Sequence, residues 1–150
     1  ARLAEELQRI SQSMPPPSRL SLEDAAAIRR AREIARWRSI GDHHVRLWES
    51  AHLDWTVIYD RDATFAGSPG YRTVFVSPFA DLSDLKRRLD PVGGRIEAFA
   101  LAAKSKRGRI ELLLRDCGAT YICEPGRMQS PPLDWPHGGG AFLRLLRDDK

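Results

Sequence analysis

Short runs of β-branched and aromatic residues alternate with helical segments in this chain, and this alternation limits the possible folds more than any other feature. The strand-like runs are Trp55 to Tyr59, Arg72 to Val76, Arg95 to Leu101 and Ala119 to Cys123. The helical segments between them are Asp81 to Leu89 and Arg107 to Cys117. A strand, helix, strand order favours parallel pairing, because parallel neighbours need a crossover connection. The sequence therefore predicts an α/β fold over residues 55–123, with a mixed or mostly parallel sheet and flanking helices.

Two further helices are predicted within residues 1–40. The apolar positions of the first helix recur at helical spacing and are Leu3, Leu7, Ile10 and Met14. Pro15 and the two prolines after it must end this helix. Ser21 and Asp24 resemble a capping box that starts a second helix, expected to reach about Arg38 and to end near Gly41. Both faces of a parallel sheet are normally covered. We therefore expect a partner segment to cover a face of this sheet that the chain itself leaves open.

The composition disfavours several classes of protein. No apolar run reaches the roughly 18 residues that span a bilayer, and residues 1–10 lack the apolar region of a signal peptide. A cytoplasmic protein is therefore expected, with Cys117 and Cys123 reduced. The formal charge of +4 does not demand a nucleic acid. No aromatic residues interleave with the basic run from Arg29 to Arg32, as base stacking would require, so we expect no nucleic-acid partner.

No complete catalytic or cofactor motif occurs in the sequence. Cys117 and Cys123 match no redox or zinc spacing, so two small buried thiols are the favoured interpretation. A nucleophilic role for Cys123 stays open because it leads into a distinctive loop. The adjacent His43 and His44 should point apart, and His52 lacks a helical partner, so we expect no metal site. The sequence has no glycine-rich phosphate or dinucleotide motif and no G-x-S-x-G, so its catalytic residues remain unknown.

The segment over residues 124–140 is rich in proline and glycine and cannot be a helix. Arg127 offers a planar fork for a phosphate or carboxylate, Trp135 offers a flat stacking face, and His137 offers a titratable ring. Contact with a ligand and packing across a domain interface both remain open for these side chains. Residues 141–148 are predicted to form a short closing helix.

Several stretches together resemble one known family. They are R-T-V-F-V-S-P from Arg72, G-R-I-E-A-F-A from Gly94, G-A-T-Y-I-C-E-P-G-R-M-Q from Gly118 and P-L-D-W-P-H from Pro132. Their order is similar to that in the C-terminal third of bacterial long-chain acyl-CoA reductases. These are the fatty-acid reductases of the bioluminescence type, within the aldehyde dehydrogenase-like superfamily. On this resemblance, residues 1–150 would form a single C-terminal α/β segment of an aldehyde dehydrogenase-like catalytic domain.

The resemblance implies an NADPH-dependent reaction that converts an acyl thioester such as acyl-CoA to a fatty aldehyde through an acyl-cysteine intermediate. In that family the cofactor domain and the nucleophile precede the matched region. The expected partner is therefore the upstream portion of the same enzyme or a complementary subunit, in an oligomer, and the chain alone should be inactive.

The resemblance also implies roles for individual residues. Phe75 matches a stretch near the nicotinamide ribose and is the implied cofactor contact. Arg127, Trp135 and His137 fall in a tail directed towards the substrate tunnel or a subunit interface. The alternative is a non-catalytic domain that binds a protein partner through an exposed sheet face and the proline-rich loop.

Overall fold

The computed structural model describes residues 2–15, 20–65, 67–133 and 135. The chain divides into two compact units, Ala1–Pro78 and Phe79–Lys150. Helices accompany a small mixed sheet in the first unit and a small parallel sheet in the second, which confirms the α/β class. No helix within the described residues is long and apolar enough to cross a bilayer.

The first unit carries two helices and a three-stranded sheet. Its elements are α1 (Arg2–Ser13), α2 (Leu22–Gly41), β1 (Val45–Glu49), β2 (Thr56–Asp60) and β3 (Thr73–Val76). The strand order is β1-β2-β3, with β1 antiparallel to β2 and β2 parallel to β3. Strand β1 lies in a region where the sequence predicted no element. The mixed pairing follows from β1, because a short connection to β2 forces an antiparallel neighbour.

Local signals fix the helices of this unit. Helix α1 ends at Ser13, as the proline run requires. The Ser21 hydroxyl accepts a hydrogen bond from the backbone N–H of Asp24 at 3.0 Å and donates to its carboxylate at 2.6 Å. This confirms the predicted cap of α2. The helix ends at Gly41, and the Asp42 N–H closes its last turn on the carbonyl of Arg38 at 3.0 Å.

Each face of the first sheet packs against one helix. Val45 and Ile58 lie on one face and contact Ala35 of α2. Trp55 and Val57 contribute to a second apolar cluster with Ala4 of α1. Strand alternation explains the division, since successive side chains of a strand point to opposite faces.

The second unit contains α3 (Leu82–Leu89), β4 (Ala98–Ala100), α4 (Arg107–Asp116) and β5 (Tyr121–Cys123). A 3₁₀ turn over Asp90–Val92 follows α3, and β4 pairs parallel with β5. Side chains from α3, α4 and β5 enclose one apolar core, whose buried members are Leu89, Leu114, Cys117 and Ala119. The predicted strand from Arg95 to Leu101 is only three residues long, and the N–H of Arg95 bonds to the carbonyl of Val92 in the preceding turn and not to a strand.

Candidate functional site

The loop after β5 folds back over the strand that precedes it. The Tyr121 hydroxyl donates a hydrogen bond to the carbonyl of Arg127 at 3.2 Å. The indole N–H of Trp135 donates to the hydroxyl of Thr120 at 3.0 Å. The rings of Tyr121 and Trp135 lie 5.4 Å apart with an interplanar angle of 42°. Two of the predicted site residues, Arg127 and Trp135, are therefore held against the same strand; we call Tyr121, Cys123, Arg127 and Trp135 the β5 corner.

A tight turn presents the Arg127 side chain. The N–H of Arg127 bonds to the carbonyl of Glu124 at 3.1 Å, and Gly126 between them has a φ of 87°. Only glycine adopts this conformation without strain, so the turn depends on the Pro125-Gly126 sequence. The main chain of Arg127 is thereby fixed while its guanidinium stays exposed and forms no ion pair among the described residues. An exposed, unpaired guanidinium on a fixed turn suits an anionic group.

Tyr121 and Cys123 project from the same face of β5, since they are two residues apart in one strand. Their partners on β4 are Ala98 and Ala100. Burial raises the pKa of the Tyr121 hydroxyl, a hydrogen bond with Cys123 adds to this effect, and the charge of Arg127 opposes it. Tyr121 is therefore a neutral phenol near pH 7 and acts as a hydrogen-bond donor. Within the described residues, the Cys123 thiol lies beside this phenol and no general base bonds to it.

The two cysteines occupy different environments, and both are free thiols. Cys117 is 6% exposed and belongs to the core of the second unit, which confirms the prediction of a buried thiol. Cys123 is only half-buried and lies in the β5 corner. A structural role for Cys117 leaves Cys123 as the thiol that a ligand could reach.

Phe75 lies on β3, at the edge of the first sheet, opposite Ile58 of β2. Its side chain is 45% exposed, which is unusual for a phenylalanine within a strand. It belongs to the first unit and the β5 corner to the second, so the two candidate contacts are described each within its own unit. His137 and the predicted helix over residues 141–148 lie outside the described residues.

The comparison with protein families decides the affiliation of the chain. The model of the family described as acyl-CoA reductase (LuxC) matches residues 1–148. The chain belongs to the acyl-CoA reductase (LuxC) family. The match includes both units and all of the elements described above. A search of curated proteins found no match. Family membership confirms the resemblance to an acyl-CoA reductase and favours an enzyme over the protein-interaction alternative.

This LuxC-family chain also has a feature that its sequence patterns did not predict. A cavity of about 320 Å³ opens on one face of the β1–β2 pair. It is lined by His43, His44, Arg46, Trp48, Tyr59 and Arg61. The histidines were predicted to point apart, but a turn before β1 brings both to the cavity. The available signal was the alternation of His44, Arg46 and Trp48, which is the two-residue period of a strand.

His44 also lies between two carboxylates. Its Nδ1 is 3.5 Å from an oxygen of Asp42 and 3.4 Å from an oxygen of Asp62. The ligand atoms of these three residues lie within 4.8 Å of one another. The histidine spacing predicted no metal site, and the two carboxylates did not enter that prediction. All three side chains are at least partly exposed, and the distances suit ion pairing when the imidazole is protonated.

Proposed function

We propose that this chain is part of an NADPH-dependent acyl-CoA reductase that converts an acyl thioester to a fatty aldehyde through an acyl-cysteine intermediate. The observation that carries the proposal is the family match over residues 1–148. The order of motifs around Arg127 and Trp135, which lie inside the matched range, agrees with it. The whole enzyme would be cytoplasmic and oligomeric, and would include either an upstream portion of the same polypeptide or a complementary subunit.

The described residues do not by themselves fit a dinucleotide cofactor. NADPH supplies the hydride in this reaction, and its pyrophosphate usually lies at a glycine-rich turn before a helix N-terminus. Here α2, α3 and α4 begin after Ser21, Asp81 and Lys106, and none of these starts is glycine-rich. Phe75 offers an exposed aromatic face for the cofactor, and we assign no step of hydride transfer to the described part of the chain.

The β5 corner is the proposed contact for the acyl substrate or for a neighbouring subunit. The Arg127 guanidinium would bind an anionic group of the thioester substrate, because its charge is exposed and its main chain is fixed. Trp135 would cover an apolar or flat part of the substrate, since its indole is held by Thr120 and Tyr121. His137 is proposed for the same surface. The acylated cysteine is assigned to the complementary portion, because Cys117 is buried and Cys123 has no base beside it among the described residues.

The proposal is tested by following NADPH oxidation through its near-ultraviolet absorbance, with a long-chain acyl-CoA as substrate. The chain alone should be inactive, and activity should appear on co-expression with the upstream portion. In the active assembly, Arg127→Ala should raise KM for acyl-CoA by about tenfold, as expected for the loss of one charge-assisted contact. The matched control is Arg109→Ala, which removes an exposed arginine of α4 in the same unit.

Four results would contradict parts of this proposal. Robust reduction by the isolated chain would show that it is not an incomplete enzyme. An active assembly that prefers NADH over NADPH, or that leaves acyl-CoA unreduced, would refute the stated reaction. An increase in KM equal to that of the Arg109 control would remove Arg127 from the substrate contact.

A further inference from the structure

Apolar residues occur on both sides of helix α2. Ile28 and Ala35 are buried, and Ala35 packs against the first sheet. On the outer side, Ile34, Trp37 and Ile40 are 50%, 77% and 81% exposed. A helix that is apolar all round is normally buried on all sides, and a row of large exposed apolar side chains marks an interaction surface. The outer side of α2 is therefore expected to be covered in the assembled protein.

The outer side also has the spacing of a coiled-coil seam. Ala26, Arg30, Glu33, Trp37 and Ile40 follow one another at spacings of four, three, four and three residues. This alternation keeps one line of side chains directed at a second helix. All five residues are exposed on α2. We call them the α2 seam.

The α2 seam is complementary to itself when two copies of the helix run antiparallel. Full overlap places the first residue of one helix opposite the last residue of the other. Arg30 then faces Glu33 of the second copy, and the two-fold axis repeats this pair, so two contacts of opposite charge form. Trp37 faces Ala26 of the second copy, so each large ring lies over a small side chain. A parallel pair would instead place like charges opposite each other, which is repulsive.

The residues around the seam agree with this arrangement. The Arg30 guanidinium is exposed and forms no ion pair within the described residues. Glu33 contacts Arg36 of its own helix, but a carboxylate accepts several hydrogen bonds and can also bind Arg30 of the second copy. Leu22, the first residue of α2, is 87% exposed and would lie beside Ile40 of the second copy. The apolar ends of the seam would then cover each other.

We infer that a second copy of this chain packs on the α2 seam as an antiparallel helix pair about a two-fold axis. The inference rests on the proposed function only for the oligomeric state, which it deepens by naming the interface, and it needs no step of the reaction. Each copy contributes one helix of about 30 Å, which gives an interface at the small end of specific contacts. We therefore expect a dissociation constant on the order of 1–10 µM.

Sedimentation velocity of the full chain, over a range of concentrations, measures this association. The wild type should change from monomer to dimer as the concentration rises. Ile40→Ala should raise the dissociation constant by about tenfold or more, because both copies lose a buried apolar side chain. The matched control is Leu112→Ala, which removes a side chain that is 65% exposed on α4. It should leave the dissociation constant within about twofold.

Reversal of the seam charges tests whether the occupant is a second copy. Arg30→Glu makes the central charges of the seam acidic, and Glu33→Arg makes them basic. Each variant alone should be monomeric at concentrations at which the wild type is a dimer. An equimolar mixture of the two variants should form a one-to-one dimer, because an acidic seam then faces a basic one. Circular dichroism checks that each variant keeps the helix content of the wild type.

Several outcomes would overturn the inference. These are a chain that stays monomeric throughout, an equal effect of Ile40→Ala and Leu112→Ala, and a mixture that dimerises no more than its components. Protection of α2 from hydrogen exchange by the upstream portion, without self-association, would also overturn it and would identify that portion as the occupant. A dimer without reductase activity in the complete assembly would refute only the proposed reaction, and an active assembly without this dimer would refute only the interface.

Discussion

At the scale of single residues, Arg32 is a buried charged group that bonds α2 to residues just before and within β2. It is 6% exposed, although it is an arginine in the middle of a helix. Its guanidinium donates to the hydroxyl of Thr56 at 2.7 Å and to the carbonyls of His52 and Trp55 at 2.7 and 2.8 Å. Glu49 lies 3.2 Å away and offsets its charge. Burial lowers the pKa of Arg32 and Glu49 opposes this effect, so the charge is retained.

Replacing Arg32 by methionine should lower the free energy of unfolding by ~3 kcal/mol. Methionine approximately keeps the volume of the side chain, but the buried carbonyls and the carboxylate of Glu49 lose their hydrogen-bond donor. Urea unfolding followed by tryptophan fluorescence measures the effect. The control is Arg29→Met on the exposed side of the same helix, which should alter the stability by less than ~0.5 kcal/mol. Equal stability of the two variants would contradict the role given to Arg32.

Gly118 is required for a close approach of two backbones. Its φ is +102°, and a Cβ placed on it would lie 3.1 Å from the Cα of Gly94. Gly118→Ala should therefore lower the free energy of unfolding by ~2 kcal/mol or more. Gly108 lies in α4, where an added Cβ would meet open space, so Gly108→Ala should be neutral or stabilising by ~0.5 kcal/mol. Thermal unfolding of both variants measures the two effects on stability. A Gly118→Ala variant as stable as the wild type would contradict the role given to Gly118.

At the scale of elements, acidic side chains cap and stabilise helix α3. The Asp81 carboxylate caps the helix by accepting hydrogen bonds from the N–H groups of Ser83 and Asp84, both at 2.9 Å. Asp84 accepts from the N–H of Ala80 at 3.0 Å and pairs with Arg88 at 3.1 Å. The N–H of Ala80 lowers the pKa of Asp84 below its usual 3.8, partial burial opposes this, and Arg88 and Arg87 strengthen it.

This depressed pKa predicts a pH dependence of stability. The contribution of Asp84 is complete above the pKa of the unfolded chain and is lost as the pH falls through the lower folded-state pKa. The urea midpoint of the second unit should therefore decrease on acidification from about pH 5 to below the usual 3.8. Asp84→Asn should make this decrease smaller, whereas the exposed Asp116→Asn should leave it unaltered. Identical acid profiles for the wild type and Asp84→Asn would refute the assignment.

At the scale of the whole molecule, two units with separate cores make up the chain. Ile28 is completely buried in the first unit, and Leu114 is 3% exposed in the second. Each core closes over its own sheet, so the stability of one unit should respond mainly to its own apolar contacts.

Truncation of each core side chain tests this division. Ile28→Ala should cost ~2–5 kcal/mol and reduce the hydrogen-exchange protection of α2 and β2. Leu114→Ala should cost a similar amount and reduce the protection of α4 and β5. Mass spectrometry of exchanged peptides separates the two responses. Equal loss of protection in both units from either substitution would show that the chain unfolds as one cooperative body.

The sequence alone determined the features that depend on local interactions. The Ser21 and Asp81 caps, the proline stop after α1 and the glycine after α4 act within a few residues, so their positions followed directly from the residue order. The α/β class and the family resemblance were also accessible, because strand and helix periods are local. The burial of Cys117 was predicted because its spacing from Cys123 matches no redox or zinc motif.

Tertiary structure decided what depends on residues distant in sequence. Strand β1 exists because it pairs with β2 and packs against α2, and the short alternation around Arg46 and Trp48 is too weak to require a strand without these contacts. The ring of Tyr121 meets Trp135 only because Gly126 turns the loop back over its strand. Long-range pairing determines which side chains of β1 and β2 share a face, so the alternation of residues in β1 did not by itself predict the cavity that lies beside this pair.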